Sequence, residues 1–166
     1  MHRWAKVSTA VAAACVVAAS NASAQSANIN VTANVLQAIS VTGFRALDFG
    51  NVFPGVNKTI APSAATSGRF DATGQAAANV NMTFTLPANL VSGGNNLPIG
   101  TWTGCWDTDN NPAAGCTNFT PSAAASATTF SAGGALFVFI GGTVSPAANQ
   151  AAGAYTATAT LTLAYF

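Results

Sequence analysis

From Asn79 to Leu86 the chain reads NVNMTFTL, with Val80, Met82, Phe84 and Leu86 on one parity and Asn79, Asn81, Thr83 and Thr85 on the other. Successive side chains of an extended backbone point to opposite faces, so this alternation predicts a strand with one dry face and one wet face. Pro87, which has no N–H for a ladder, ends it. The last stretch, GAYTATATLTLAYF from Gly153 to Phe166, has the same character. Tyr155, Leu161, Leu163 and Tyr165 share the apolar parity, and Thr156, Thr158, Thr160 and Thr162 share the polar one. A core strand running to the C-terminus is predicted. Earlier, NINVTANVLQAISV sets Ile29, Val31, Ala33, Val35, Ile39 and Val41 on one parity, predicting a long first strand or two in succession. ALFVFIGGTV is apolar at nearly every position and predicts a central strand buried on both faces.

Shorter strands are expected at ALDFG, VNKTI, GRFDATG and IGTWTGCW, set off by the turn clusters FPG and VSGGNNLP. TNFTPSAAASATTFSAGG reads as an irregular connection. Its helix candidate, Ala123–Ala127, has no apolar stripe and lies between Pro121 and Gly133–Gly134. Roughly seven to nine short strands separated by turns predict an all-β, immunoglobulin-like antiparallel sandwich with a Greek-key element.

Residues 1–24 read as a cleaved signal peptide rather than part of the fold. Arg3 and Lys6 form a basic start, VSTAVAAACVVAAS an apolar middle, and ASA at Ala22–Ala24 a small-residue cleavage site. The apolar run falls short of the roughly 20 residues of a membrane span. A lipoprotein reading through Cys15 is disfavoured by Ala12, which stands where a larger aliphatic residue is usual. Residues 25–166 then form a single domain, in the periplasm, at the cell surface or outside a bacterium.

Export changes the charge picture. Arg45, Lys58 and Arg69 remain against Asp48, Asp71, Asp107 and Asp109, with no Glu and, once His2 has left, no His. Only 5% of the whole chain is charged, against about a quarter in an ordinary globular domain. There is no basic stripe for a nucleic acid. An uncharged surface gives little repulsion against self-association, and uncharged strand edges are poorly guarded against further strands. Catalysis has little material, because general acid–base work near neutral pH draws mostly on His, Glu or Lys. The expectation is a protein without enzymatic activity, cofactor or small-molecule substrate.

Cys105 and Cys116 are expected to pair in an oxidising compartment. Between them, WDTDNNPAAG can fold back on itself, and closing so short a loop stabilises by roughly 3 kcal/mol on the chain-entropy estimate. DTDNN at Asp107–Asn111 opens like a calcium loop, but Pro112 follows it and the chain has no Glu to complete the motif. Asp107 and Asp109 are therefore a weak metal candidate and a good turn. Trp102 and Trp106 flank Cys105 and offer either a sugar-stacking platform or core packing on the disulfide.

LDFGNVFPG at Leu47–Gly55, with SGRFDATG, NMTFTLP, Gly141–Gly142 and the terminal GAYTATATLTLAY, resembles a family of secreted bacterial domains of unknown function with an L-D-F-G signature. That family is similar in turn to spore coat protein U and to the subunits of chaperone–usher fimbriae. In fimbrial subunits the last strand carries a Gly near its start and a penultimate aromatic, places held here by Gly153 and Tyr165. The resemblance implies an assembly strand, Gly153, Tyr155, Leu161, Leu163, Tyr165 and Phe166, read by like subunits or a periplasmic chaperone through strand addition. It departs from fimbrial subunits in its late cysteine pair and in the few residues ahead of the expected first strand, which suit a sandwich complete on its own. Two other functions fit the composition. One is a monomeric extracellular module binding glycans or acting as an adhesin, and the other a small outer-membrane barrel. The barrel reading would need lipid-facing alternation in most strands.

Overall fold

The computed structural model describes residues 25–166; the expected signal peptide lies outside the described residues. Ten strands form: β1 Ser40–Arg45, β2 Lys58–Ile60, β3 Gly68–Thr73, β4 Asn79–Thr85, β5 Asn89–Ser92, β6 Asn95–Asp107, β7 Thr117–Phe119, β8 Ser126–Thr129, β9 Ala135–Val144 and β10 Thr160–Tyr165. There is no helix among the described residues. The larger sheet runs β1-β3-β9-β6-β5, with β2 also on β9 and β7 also on β6, and the smaller runs β10-β4-β8. All pairings are antiparallel. β9 inserts between the earlier strands β3 and β6, the Greek-key crossing of an immunoglobulin-like sandwich. The strand total exceeds the seven to nine expected, through the short pieces β5, β7 and β8, none of which was expected as a strand.

The sheets meet over one apolar layer. Val80, Met82 and Phe84 of β4, Leu136, Val138 and Ile140 of β9, and Leu161 of β10 pack together. Each comes from the apolar parity of its strand. The apolar run of β9 has a separate cause on its outer face. Arg69 lies over Phe44 at 4.1 Å and Phe137 at 5.1 Å from the ring centroids, and its guanidinium grips Asp71 at 2.5 and 2.7 Å. This roof leaves Phe139 1% exposed, so the strand is dry on both sides, as its composition predicts.

Several strand expectations are not met, for different physical reasons. Residues 25–39 hold no strand. Ser40 pairs with Thr73, the last residue of β3, so the alternation upstream meets no ladder. Ile29, Val31 and Val35 are accordingly 84%, 87% and 91% exposed. ALDFG is no strand either: Asp48 accepts the Gly50 amide at 2.7 Å, a side-chain turn that Gly50 closes at φ +55°. Conversely, Ser126–Thr129, expected to be irregular, pairs with Asn79–Met82 of β4. Its small residues gave no sequence signal, because β8 only covers an edge. At the C-terminus the ladder covers Thr160–Tyr165. The segment before it joins β5 through the isolated Val91–Thr156 bridge.

Candidate assembly site: an uncovered groove beside the last strand

The two sheets differ in width, and the three-stranded sheet leaves part of the larger one uncovered. Phe49, Leu97, Ile99 and Val144 form a second apolar cluster there, flanked by Leu47, Val52, Leu90 and Tyr155. Over it lies a cavity of ≈1030 Å³, at the top of the roughly 300–1,000 Å³ range of small-ligand pockets.

One wall is the stretch Ala46–Pro54, which contains the L-D-F-G sequence. Arg45 fixes its base, donating from Nε to the Ser67 carbonyl at 2.7 Å and from its terminal nitrogen to Ser67 Oγ at 2.9 Å. The Asp48 amide donates to the Thr66 carbonyl at 2.9 Å, and Lys58 Nζ donates to the Asn51 carbonyl at 3.0 Å. Phe49 turns inward and is 8% exposed, whereas Phe53 stands at the rim, 69% exposed.

The opposite wall is Gln150–Ala159. Gln150 holds it, donating to the Asn96 carbonyl at 3.1 Å and to the Tyr155 hydroxyl at 2.7 Å, while that hydroxyl donates to the Ala151 carbonyl at 2.8 Å. The wall continues into β10, which pairs with β4 along one edge and ends its sheet on the other. A free strand edge therefore borders an apolar trough, and both walls are already tied down by hydrogen bonds. Such an arrangement can take an extended segment that pairs with the edge and drops alternate side chains into the trough.

The residues singled out in the sequence fall around this site unevenly. Gly153 and Tyr155 line the trough. Leu161 is buried on the core side, Leu163 and Tyr165 are half-buried against the same core, and Phe166 is 69% exposed. Trp102 packs against both apolar clusters and lines the groove. Trp106 is half-buried against the main core. Cys105 and Cys116 are disulfide-bonded with Cα atoms 5.7 Å apart. Asp107 accepts the Asp109 amide at 3.1 Å and Asn111 the Ala113 amide at 3.2 Å, so this stretch carries turn chemistry.

Sequence reasoning did not single out Gln37, whose carbonyl accepts from the Tyr165 hydroxyl at 2.7 Å, nor Arg45, Ser67 and Gln150. Arg45 was findable, being one of only five Lys and Arg residues in the chain. Gln37 and Gln150 act through backbone proximity that no local pattern records.

Fold and groove together define a two-sheet, disulfide-bonded β-sandwich with one open flank. The chain belongs to the family described as Domain of unknown function (DUF4402), whose profile matches residues 39–165. The match begins one residue before β1, so the segment ahead of it lies outside the matched residues. No curated protein and no solved structure matches the chain.

Proposed function

We propose that the protein is an exported, non-enzymatic structural subunit of a bacterial surface assembly, joining its partners by strand addition at the free edge of β10. This is the mode of the fimbrial subunits to which its motifs bear a resemblance. The observation that carries the reading is the pairing of an unoccupied strand edge with an apolar trough along one flank of an otherwise packed sandwich. The disulfide suits an oxidising compartment outside the cytosol, and the near absence of charge favours contact between like surfaces. A signal peptide at residues 1–24 would deliver the chain there.

Ala157 tests the reading, since it is exposed and lines the trough. Ala157→Arg places a charge where an incoming strand would lie, without touching the packed core. The expected result is a folded, exported chain, normal by circular dichroism, that no longer enters higher-order assemblies in sedimentation velocity. A variant that assembles like the parent would overturn the proposal.

A further inference from the structure

We infer that β1 pairs edge to edge with β1 of a second copy, antiparallel about a two-fold axis through Thr42, so that the larger sheets of the two molecules run on into one another. This contact is separate from the free edge of β10. β1 ends the larger sheet, and Ser40–Phe44 are all exposed. Its one ladder is with β3, and among the described residues no other backbone hydrogen bond reaches it.

The other edges of that sheet are guarded in ways that natural sheets use. At β5 the Val91 amide donates to the Thr156 carbonyl at 2.9 Å and the Thr156 amide to the Val91 carbonyl at 3.1 Å, which closes that side. β2 and β7 are three residues each, and β2 carries Lys58. On β1 the bulge between Gly43 and Arg45, and the charge of Arg45, stand only at the far end. Ser40–Phe44, SVTGF, has no charge and no proline. Five residues, roughly 17 Å of edge, are open to a partner strand.

Gly43 identifies the partner. Glycine weakens a strand, and it marks a bulge or the close approach of another chain. A bulge that demands glycine holds it in the left-handed region, but Gly43 has no positive φ. Nor is it crowded within its own chain, since an added Cβ would meet nothing within 4 Å. In a two-fold register centred on Thr42, Gly43 stands opposite Val41 of the second copy, and Ser40 opposite Phe44. Val41 is 36% exposed and lies across from Ala72, so it shares the face of the core. Its side chain covers the glycine opposite. Phe44, 61% exposed, gains Ser40 beside its ring. The axis makes each copy supply the valine that the other's glycine admits, and the pair closes on itself.

The test uses the whole exported chain. Thr42→Cys puts two thiols across the axis with Cβ atoms about 4.5–5.5 Å apart, whereas Ser40→Cys leaves them about 13 Å apart along the strands. The expected result under mild oxidation is a cross-linked dimer of Thr42→Cys and none of Ser40→Cys. Adding Val41→Lys to the Thr42→Cys chain should slow cross-linking about tenfold or more, because each dimer carries the change twice. Gly43 also lines the trough, so Val41 is altered instead. Equal cross-linking of the two cysteine variants, or indifference to Val41→Lys, overturns the inference. Ala157→Arg separates it from the assembly reading. If the Thr42→Cys dimer forms while Ala157→Arg still enters higher-order assemblies, the assembly reading falls and the β1 pair stands. If adding Ala157→Arg to Thr42→Cys abolishes the dimer, the contact depends on the trough and this inference falls. All the altered positions are exposed, and circular dichroism checks that each variant is folded.

Discussion

The hydroxyl of Tyr165 donates to the carbonyl of Gln37 at 2.7 Å, joining residues 128 apart in the chain. The same oxygen accepts the Gln75 amide at 2.7 Å, and the ring tilts against Phe130 at 6.3 Å. The penultimate residue thus ties three parts of the chain together: the approach to β1, the turn after β3 and the end of β10.

Tyr165→Phe keeps the ring and removes both hydrogen bonds. A stability loss of about 1–3 kcal/mol is expected, from two contacts of about 0.5–1.5 kcal/mol each. Urea denaturation measures it, and hydrogen exchange should show the Gln75 amide losing protection. Unchanged stability would mean that water replaces the hydroxyl without loss.

Gly74 leaves no room beside that clamp. A Cβ there would stand 2.5 Å from Phe130 Cε2 and 2.7 Å from the Tyr165 hydroxyl. Gly74→Ala should therefore destabilise by about 1–3 kcal/mol through overpacking. It should also weaken the Tyr165 contacts, so that adding Tyr165→Phe costs less than it does alone. Strict additivity in a double-mutant cycle would argue against the shared packing.

Leu161 is 6% exposed, and Leu161→Ala should cost about 2–5 kcal/mol. Leu163 is only half-buried, so its truncation should cost roughly half as much. Thr160→Ser and Thr162→Ser alter the wet face and should stay within about 0.5 kcal/mol. Midpoints of chemical denaturation for the four variants check the order.

Arg45→Ala strips two donors from Ser67, a residue with 0% exposure. Leaving a buried hydroxyl and carbonyl unpaired costs about 1–3 kcal/mol. The groove wall should loosen as well, visible as faster hydrogen exchange at the Asp48 amide. Arg45→Lys, which cannot make the forked contact, should recover only part of the loss.

Replacing Cys105 and Cys116 together by Ala should lower stability by about 2–4 kcal/mol. Part of that comes from Cys105, which is 2% exposed. Denaturation with and without reductant should show the parent falling toward the variant and the variant unaffected.

What the sequence revealed depends on where its signal comes from. β4, β9 and β10 were legible because each buries a face on a contiguous core, and period two or an unbroken apolar run writes that burial into neighbouring residues. Residues 28–39 carry the same alternation and form no strand, because periodicity reports competence to pair and β3 stops at Thr73. β8 was invisible for the opposite reason: Ser126–Thr129 pairs with β4 but adds little apolar surface. The terminal strand was legible from its residues, while the trough beside it was not. A trough is a difference in width between two sheets, and no single segment records that. Arg69 shows a further gap: its stacking over Phe44 and Phe137 explains a wholly apolar strand that composition alone would assign to burial between layers.

The anchor at Gln37 and the trough at the other end of β10 are separate surfaces on one molecule, so a contact between two copies through the trough alone would leave each with something unused. Joining through unlike patches does not close a pair unless the rotation happens to form a ring. Under the proposed strand addition, a row would have two chemically distinct tips, only one of them showing an empty slot. Growth of such a row would be directional, and the tip with the slot would stay sticky until a differently shaped molecule stoppered it.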